Sequence, residues 1–377
     1  MTHRETAHIL AINWQDISHP LGGGAEVHLH EISRRLVQRG CQVTVLCSRY
    51  RDSAAEEEID GVAIVRRSSR AAFNFAVPHA YRQLRRCCAF DLVIDDINKI
   101  PFYTPLYVRE PILALVHHLF QKSIFLQAAW PAAAYVYSAE KWIPRIYRHT
   151  PFAAVSESTR SELRSLGIQT EIDLLPNGVD LESYRVRQEL RPAKPTIGYI
   201  GRLKKYKSID HFLRAIPAVA AEIPDLRAVI VGDGDDRDRL QRLTVELGLQ
   251  DRVEFSGFVT QAEKIERLNQ LWLAVNPSSK EGWGLTVIEA NACGVPVVAA
   301  DSPGLRDSVV HEKTGLLYAY GDVTALSRQI LFLLNRQQRR REMAHQARQW
   351  AERFSWDASA GIAQKIIERI LVKNKHS

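Results

Sequence analysis

Two carboxylates stand eight positions apart in the C-terminal half, Glu281 and Glu289, with Gly-Trp-Gly-Leu-Thr-Val-Ile between them. The apolar run 271–275 and the polar break 276–279 precede them, so this segment is predicted to form a strand, a tight loop and a helix. Glu281 would lie on the loop and Glu289 about one turn into the helix. Amides suit a diphosphate and carboxylates suit hydroxyl groups, so the pattern predicts a sugar-nucleotide site. Free backbone N–H groups at the helix N-terminus would come from Gly284, Leu285 and Thr286.

A basic loop follows the predicted strand 195–200 and begins Gly-Arg-Leu, with Lys207 five positions after Arg202. This spacing allows two cations to close on one diphosphate. The guanidinium can bind two oxygens at once, whereas the ammonium acts as a point charge. Because these side chains supply the positive charge, we expect neither a divalent metal nor any other cofactor. The alternative for the lysines is a solvated loop, which we expect for Lys204 and Lys205.

A glycine-rich loop, Gly-Gly-Gly-Ala-Glu at 22–26, follows the first predicted strand and opens a helix. Glycine lets the backbone approach a ligand closely and leaves its amides unshielded, so Gly23 and Gly24 are candidate ligand contacts. The spacing is not the G-x-G-x-x-G of a dinucleotide site. A flexible turn is the structural alternative.

Two histidines, His117 and His118, end the predicted strand 112–117. Adjacent residues of a strand point to opposite faces, so only one of them is expected to serve a ligand. We assign that role to His117, which could hydrogen-bond a sugar hydroxyl or stabilise charge. No acid or histidine at a suitable spacing supports a metal pair.

β-Branched runs alternate with helical periodicity, which predicts an α/β fold with parallel sheets. The chain has 377 residues, more than one core usually serves, so two Rossmann-like domains facing each other across a cleft are expected, with a hinge at 181–195. Strands are predicted at 8–13, 42–47, 62–66, 91–95, 112–117, 152–155, 171–175, 195–200, 228–231, 253–255, 271–275 and 297–299. Helices are predicted at 25–38, 131–149, 158–166, 208–221, 236–247, 262–270, 285–293, 323–335, 338–353 and 356–372.

Composition is ordinary for a globular protein, and the net charge of +7 favours an anionic partner. No block of like charge is long enough for a nucleic-acid-binding tail, so nucleic acid is not an expected partner. The five cysteines are scattered without zinc-ligand spacing, which is typical of a reduced cytoplasmic protein. No signal-peptide pattern opens the chain, and the longest apolar stretch is too short to span a bilayer.

The segment 123–148 is both aromatic and basic. Trp142 and Ile146 would share one helical face, while Lys141, Arg145 and Arg148 would share another. Such a segment could lie on an acidic membrane surface and meet a lipid-linked acceptor. The alternative is an ordinary amphipathic helix that covers the first sheet.

Together these motifs resemble those of the retaining nucleotide-sugar glycosyltransferases of family 4, the group 1 glycosyltransferases, over nearly the whole chain. The resemblance implies the GT-B fold, with an acceptor-binding domain at 1–188, a nucleotide-sugar domain at 189–355, and a last helix, 356–377, that packs back on the first domain. The elements that carry it occur in the family's order: the loop 22–26, Pro-Asn-Gly-Val-Asp at 176–180, Gly-Arg-Leu with Lys207, Val-Gly-Asp-Gly at 231–234, and Glu281 with Glu289.

The resemblance also implies residue roles. Glu281 would bind donor-sugar hydroxyls and Glu289 the ribose, and His117 would match the family's catalytic-site histidine, although His118 stands where the family commonly has Asp. It further implies retention of configuration and a carbohydrate or lipid-linked acceptor for glycolipid or cell-surface polysaccharide assembly. The cysteine pattern and the segment 123–148 favour a cytoplasmic protein that meets the inner face of the cell membrane. The base would lie beside Phe258 and Val259.

Two other functions remain open from the sequence. A sugar-nucleotide epimerase with the same fold would bind a similar donor without using an acceptor. A non-catalytic binding protein would have less need of the complete set of Arg202, Lys207, Glu281 and Glu289.

Overall fold

The computed structural model describes residues 7–98, 100–126 and 129–375 and divides the chain into two compact units. The first unit is Met1–Gly178 with Trp356–Ser377, and the second is Val179–Ser355. Each contains a mainly parallel sheet covered by helices, which confirms the predicted α/β class with two Rossmann-like units.

The first sheet has the strand order β3-β4-β2-β1-β5-β6-β7-β8, and the strands are parallel except for the pairing of β3 with β4. Its central strands β1, β2 and β5 are almost wholly buried. The elements of this unit, in chain order, are β1 (His8–Ile12), α1 (Gly24–Gln38), β2 (Gln42–Arg49), β3 (Glu56–Ile59), β4 (Val62–Ser69), α2 (Phe73–Cys87), β5 (Leu92–Ile97), β6 (Ile112–Val116), α3 (Trp130–Ile146), β7 (Phe152–Ala154), α4 (Glu157–Leu166) and β8 (Ile172–Leu174).

The sequence-based prediction did not include two of these elements, helix α2 and strand β3. Helix α2 contains Pro78, a residue that normally interrupts helices, yet Phe73, Val77 and Tyr81 recur on its buried face and pack it on the sheet. Strand β3 reads Glu-Glu-Glu-Ile, a composition that disfavours strands, and it survives as a charged edge strand paired with β4.

The second sheet has the strand order β11-β10-β9-β12-β13-β14, with all recorded pairings parallel. The short helix α9 and strand β14 were not predicted from the sequence. The elements are β9 (Thr196–Ile200), α5 (Ile209–Glu222), β10 (Arg227–Val231), α6 (Arg237–Glu246), β11 (Val253–Gly257), α7 (Gln261–Gln270), β12 (Leu273–Asn276), α8 (Leu285–Ala292), β13 (Val297–Ala300), α9 (Leu305–Ser308), β14 (Gly315–Tyr318), α10 (Val323–Leu334) and α11 (Gln337–Ala351).

The last helix, α12 (Trp356–Lys375), belongs to the first unit and packs beside α1. Its apolar side chains Ala363, Ile366 and Ile370 join the core cluster that contains Leu29 of α1. A Cβ on Gly178 would lie 2.5 Å from the backbone nitrogen of Trp356, so glycine is required where the chain leaves this unit.

The division at 178/179 differs from the sequence-based boundary at 188/189. Residues after 178 are bonded within the second unit: the Arg187 N–H donates to Asn269 at 2.7 Å, and the Trp272 indole donates to the Pro192 carbonyl at 2.9 Å. The charge-rich, proline-containing composition of 181–195 suggested a hinge, but side-chain contacts make the segment part of the second unit.

Candidate functional site

Lys207 and Glu281 meet in the second unit although they are far apart in sequence. The Lys207 Nζ lies 2.5 Å from the Glu281 Oε1, and both side chains are largely buried, at 12% and 14% exposure. Burial by itself would lower the pKa of Lys207, but the Glu281 carboxylate outweighs it and raises that pKa. Lys207 is therefore charged at neutral pH.

The strand order explains this contact. Strands β9 and β12 are neighbours in a parallel sheet, so the loops at their carboxyl ends, 201–208 and 277–284, lie side by side. The Ser279 N–H and hydroxyl donate to the Tyr206 carbonyl at 3.0 and 2.9 Å. On the other side, the Glu281 N–H donates to the Pro303 carbonyl at 3.0 Å. The backbone beside Glu281 is thus held by loops after two neighbouring strands.

Arg202 lies on the same loop as Lys207 and is exposed. Its backbone position depends on close packing against the Gly-Asp-Gly turn after β10. A Cβ on Gly232 would fall 2.0 Å from the Gly201 carbonyl oxygen, and one on Gly234 would fall 2.1 Å from that of Leu203. The glycines of this turn therefore serve close backbone packing beneath the Arg202 loop.

Helix α8 begins at Leu285, four positions after Glu281, and Gly284 is its N-cap. Gly284 has φ 86°, in the left-handed region, and a Cβ there would lie 2.7 Å from the Ser308 Oγ. The Val287 N–H donates to the Gly284 carbonyl at 2.9 Å, so Gly284 caps the helix and Leu285 and Thr286 are its first residues, where backbone N–H groups have no acceptor within the helix. An anion at this end would be favoured by the helix dipole.

Glu289 lies one turn into α8 and is buried, and its carboxylate is bonded by two side chains that were not among the predicted site residues. Its Oε1 accepts a hydrogen bond from the Tyr184 hydroxyl at 2.8 Å and one from the Lys264 ammonium at 2.6 Å. The Lys264 ammonium also lies 5.4 Å from the centre of the Tyr184 ring. The sequence analysis missed both partners, and the only signal for Lys264 was its place in a helix that follows a strand.

Phe258 and Val259 follow β11 at the same edge of the sheet. The Phe258 side chain is 86% exposed, whereas Val259 is partly buried. Gly257, just before them, has φ 69°, and its carbonyl accepts from the Gly232 N–H at 2.8 Å. A large exposed aromatic ring at a strand's carboxyl end offers a flat surface on which a base could stack.

The glycine-rich loop of the first unit is braced by the acid that follows it. The Gly23 N–H donates to the Glu26 Oε2 at 2.7 Å, so α1 begins with an internal cap. The Asn98 amide, after β5, donates to the Glu26 Oε1 at 3.1 Å and to the Asn13 Oδ1 at 2.9 Å. Side-chain hydrogen bonds therefore hold the turn at Gly23, and Gly24 is the first residue of α1.

His117 lies at the carboxyl end of β6, and the structure buries it almost completely. Its Nε2 lies 2.8 Å from the Oδ1 of Asp96, and its ring meets that of His28 edge-on at 5.1 Å. Complete burial lowers the pKa of His28 well below its usual range, and nearby His117 lowers it further, so His28 is neutral. His118 is the more exposed of the two histidines, and its ring meets that of Phe120 edge-on, with the ring centres 4.5 Å apart.

Asp95 points away from this histidine pair, as its position next to Asp96 in β5 requires. It is fully buried and accepts from the Tyr147 hydroxyl at 2.5 Å and the Thr104 hydroxyl at 2.7 Å. Burial raises the pKa of Asp95 to about 6, and these hydrogen bonds limit the rise.

The described part of the chain forms neither a cluster of metal ligands nor a helix that could span a membrane. Within 7–98, 100–126 and 129–375, no group of three or more His, Cys, Asp or Glu side chains is placed to hold a metal ion. In that same part of the chain, no helix has the length and apolar character needed to cross a bilayer.

Family models match both halves of the chain. Residues 22–183 match the model described as Glycosyltransferase Family 4, and residues 180–350 match that described as Glycosyl transferases group 1. With its two Rossmann-like units and these consecutive matches, the chain belongs to the group 1, family 4 glycosyltransferases and has the GT-B fold.

Individual relatives agree with this placement. The chain is 30% identical to the 2-deoxystreptamine glucosyltransferase of Streptomyces kanamyceticus over 64% of its own length, and spans just under two thirds (65%) of that protein. It is 29% identical to the D-inositol 3-phosphate glycosyltransferase of Mycobacteroides abscessus, over 78% of this chain and 73% of that one. The solved sucrose-phosphate synthase of Thermosynechococcus elongatus is similar in fold, with a TM-score of 0.84, 21% identity, and coverage of 97% of this chain and 100% of that chain.

Proposed function

We propose that this protein transfers a sugar from a nucleotide-diphosphate donor to an acceptor, with retention of configuration and without a divalent metal. The observation that carries the proposal is the buried Lys207–Glu281 pair beside the N-terminus of α8. A cation, a carboxylate and helix-end amides together suit a diphosphate that is attached to a hydroxyl-bearing sugar.

The chemistry follows from charge. Breaking the bond between the anomeric carbon and the diphosphate puts negative charge on the leaving group. Lys207, Arg202 and the amides of α8 would stabilise that charge more strongly in the transition state than in the ground state. Because fixed protein charges supply this stabilisation, the proposal requires no metal ion.

Retention would arise if the departing diphosphate takes the acceptor's proton. The acceptor oxygen then attacks the anomeric carbon from the face that the diphosphate leaves, and the hydroxyl proton passes to a phosphate oxygen. In the second unit, Glu281 would bind hydroxyls of the donor sugar, Glu289 would bind the ribose, and Phe258 with Val259 would lie beside the base. In the first unit, we propose His117, Gly23 and Gly24 as contacts for sugar or phosphate.

The proposed acceptor is a glycolipid or a cell-surface polysaccharide precursor, met at the inner face of the cell membrane. Support comes from the surface of α3, whose outward side chains include Trp130, Tyr135 and Trp142, with exposures of 74%, 45% and 50%. The opposite side of the helix packs inward through residues such as Ile143. One side of the helix is therefore buried, and the other exposes the aromatic rings that the proposed membrane contact would use.

Charge on this surface favours an acidic membrane. Lys122, Lys141, Arg145 and Arg148 are exposed, with Arg148 just beyond the helix end. Glu140 is the only acidic residue between positions 111 and 156 of the sequence, and it is buried, where it accepts from the N–H groups that follow Leu119. Exposed aromatic rings with cations and without an exposed acid in this segment suit anionic headgroups.

Vesicle sedimentation tests the membrane part of the proposal. The protein should sediment with vesicles that contain phosphatidylglycerol, and sediment less with pure phosphatidylcholine or at high salt. Trp130→Ala with Trp142→Ala should reduce binding, whereas Phe332→Ala, an exposed aromatic on α10, should leave it unchanged. Equal sedimentation with both lipids would remove the acidic membrane from the proposed partners. Nucleic acid is not among the partners that we propose.

A donor screen followed by a transfer assay tests the reaction. Nucleotide sugars are first screened for protection against thermal unfolding, because a ligand stabilises the state that it binds. Release of free nucleoside diphosphate that depends on the acceptor, that persists in a metal chelator, and that yields a product with the donor's anomeric configuration would support the proposal. Epimerised donor with its nucleotide intact would favour an epimerase, and binding without turnover would favour a binding protein.

A further inference from the structure

Two arginines lie at the amino edge of the second sheet, opposite the edge that carries the proposed donor site. The Arg340 guanidinium lies over the Trp272 ring, with its central carbon 4.3 Å from the ring centre. The Trp272 indole donates to the Pro192 carbonyl at 2.9 Å, and Arg191 directly precedes Pro192 in the chain. Trp272 stands just before β12 and Pro192 just before β9, so this cluster lies where those strands begin.

Both guanidinium groups bind carbonyls at the ends of helices. The Arg340 Nη1 donates to the carbonyls of Leu333 and Leu334 at 2.8 and 3.0 Å, where α10 ends. The Arg191 Nη2 donates to the Gly294 carbonyl at 3.5 Å, just after α8. The carboxyl end of a helix carries a partial charge of about −0.5, so the two helix ends together balance about one positive charge.

The remaining positive charge has no acidic partner. Burial lowers the pKa of Arg191, and burial together with the neighbouring Arg191 and Arg341 lowers the pKa of Arg340 to about 10. Every charged side chain that shifts the pKa of Arg340 is therefore itself a cation. Beside Arg191 lies the Cys293 thiol, which burial keeps neutral by raising its pKa to about 12. Within the described residues, Glu189 is exposed and forms no ion pair with either arginine.

The two guanidinium groups also have hydrogen-bond donors that the helix ends do not use. The Arg191 Nε is buried and lacks a hydrogen-bond partner within the described residues. A guanidinium has five N–H groups, and the contacts with carbonyls use one from Arg191 and two from Arg340. A buried donor without a partner is unfavourable, and so is a partly buried charge without a counter-charge. A phosphate dianion would remedy both, because its oxygens accept from the fork of N–H groups that a guanidinium presents.

We propose that Arg191, Arg340 and Arg341 form a second anion site, which takes a phosphate dianion, either free or as a phosphomonoester. The site is separate from the proposed function, because it lies at the opposite edge of the sheet from Lys207. An anion bound there stabilises the second unit by neutralising the cations that cap α8 and α10.

Thermal unfolding in inorganic phosphate tests the inference, with chloride used to hold the ionic strength constant. The unfolding temperature of the wild-type protein should rise by about 3–5 °C for each tenfold increase in phosphate above the dissociation constant. Glycerol 3-phosphate is titrated in parallel, and the ligand that acts at the lower concentration identifies the preferred source of the phosphate group.

Four variants assign the effect to this site. Arg340→Met should weaken phosphate binding by roughly 10- to 150-fold, the range for a hydrogen bond from a charged group. Arg341→Met should weaken it by roughly 2- to 5-fold, and it should fold normally because Arg341 is exposed and forms no hydrogen bond within the described residues. Lys207→Met should keep the phosphate-dependent rise. Arg214→Met is the matched control, since Arg214 is an exposed arginine of α5 without an ion pair in the described part of the chain.

Three results would overturn the inference. An equal rise in wild type, Arg340→Met and Arg341→Met would mean that phosphate does not act at these arginines. Loss of the rise in Lys207→Met would place the phosphate at the donor site, which would leave the proposed function supported and the second site refuted. A wild-type protein that binds a nucleoside diphosphate but shows no rise with either phosphate ligand would likewise refute the second site alone.

Discussion

Replacing Lys207 with methionine tests the diphosphate site most directly. The change keeps the apolar stem and removes a charge that lies 2.5 Å from Glu281 in a largely buried pair. A hydrogen bond from a charged group contributes about 1.5–3 kcal/mol, so its loss weakens diphosphate binding by roughly 10- to 150-fold. Because Glu281 raises the pKa of Lys207 despite burial, the wild-type charge is present throughout the neutral pH range.

The single variant should lose more than this bond alone. It leaves the Glu281 carboxylate without its counter-charge beside an incoming dianion. Two like charges about 4 Å apart repel by up to about 4 kcal/mol at an effective dielectric constant of about 20. The double variant Lys207→Met/Glu281→Gln removes this repulsion, so affinity should fall in the order wild type, double variant, Lys207→Met.

Calorimetric titration with a nucleoside diphosphate at low and at physiological ionic strength measures this order. Thermal unfolding verifies the fold of each variant, and Lys194→Met controls for loss of one surface lysine, since its ion pair with Asp225 is exposed. Unaltered affinity of Lys207→Met would remove Lys207 from the site. A double variant that binds more weakly than the single variant would refute the argument from repulsion.

Three further predictions address catalysis, packing and pH. Glu281→Gln should lower kcat by at least about 100-fold, because it removes a contact made in the transition state, and it should not weaken the affinity for a nucleoside diphosphate. Unchanged turnover in a steady-state assay would contradict this prediction. Gly232→Ala should both destabilise the second unit and weaken diphosphate binding, because its Cβ would lie 2.0 Å from the Gly201 carbonyl oxygen and displace the Arg202 loop; denaturation and titration would show both effects. Burial raises the pKa of Asp95 to about 6 from an unfolded value of 3.8, so the folded state favours the protonated carboxyl. The contribution of Asp95 to the free energy of unfolding is therefore most favourable below about pH 4 and is lost as the pH rises through 6. The stability of Asp95→Asn relative to wild type should therefore rise by about 2.5 kcal/mol between pH 4 and pH 8 in urea unfolding, and a constant difference would refute the assignment.

Local patterns were sufficient for most helices and strands of the fold. The apolar run, polar break and helical run around Glu281 predicted a strand, a loop and a helix, and the structure has β12, a loop and α8 there. Glycines and hydrophobic periodicity act over a few residues, so their consequences can be read from neighbouring positions. Where local signals conflict with packing they mislead, as Pro78 did in α2 and the three glutamates did in β3.

The pairing of distant side chains was beyond such local reasoning. The sequence indicated that Glu281 and Lys207 were both candidate ligands for a sugar nucleotide, but it did not show that they contact each other. It did not indicate that Lys264 covers Glu289, or that Asp96 contacts His117. Each of these contacts joins residues that belong to different elements of the fold, far apart in the sequence.

The sequence by itself determined the alternation of strands and helices, the family motifs and the types of side chain available for chemistry. Only the tertiary structure decided which of those side chains meet. The reason is strand order: β9 lies between β10 and β12 in the sheet, so the loop after β9 is brought beside a loop some seventy residues further along the chain. Local propensities do not encode that neighbourhood, because it is set by the packing of the whole unit.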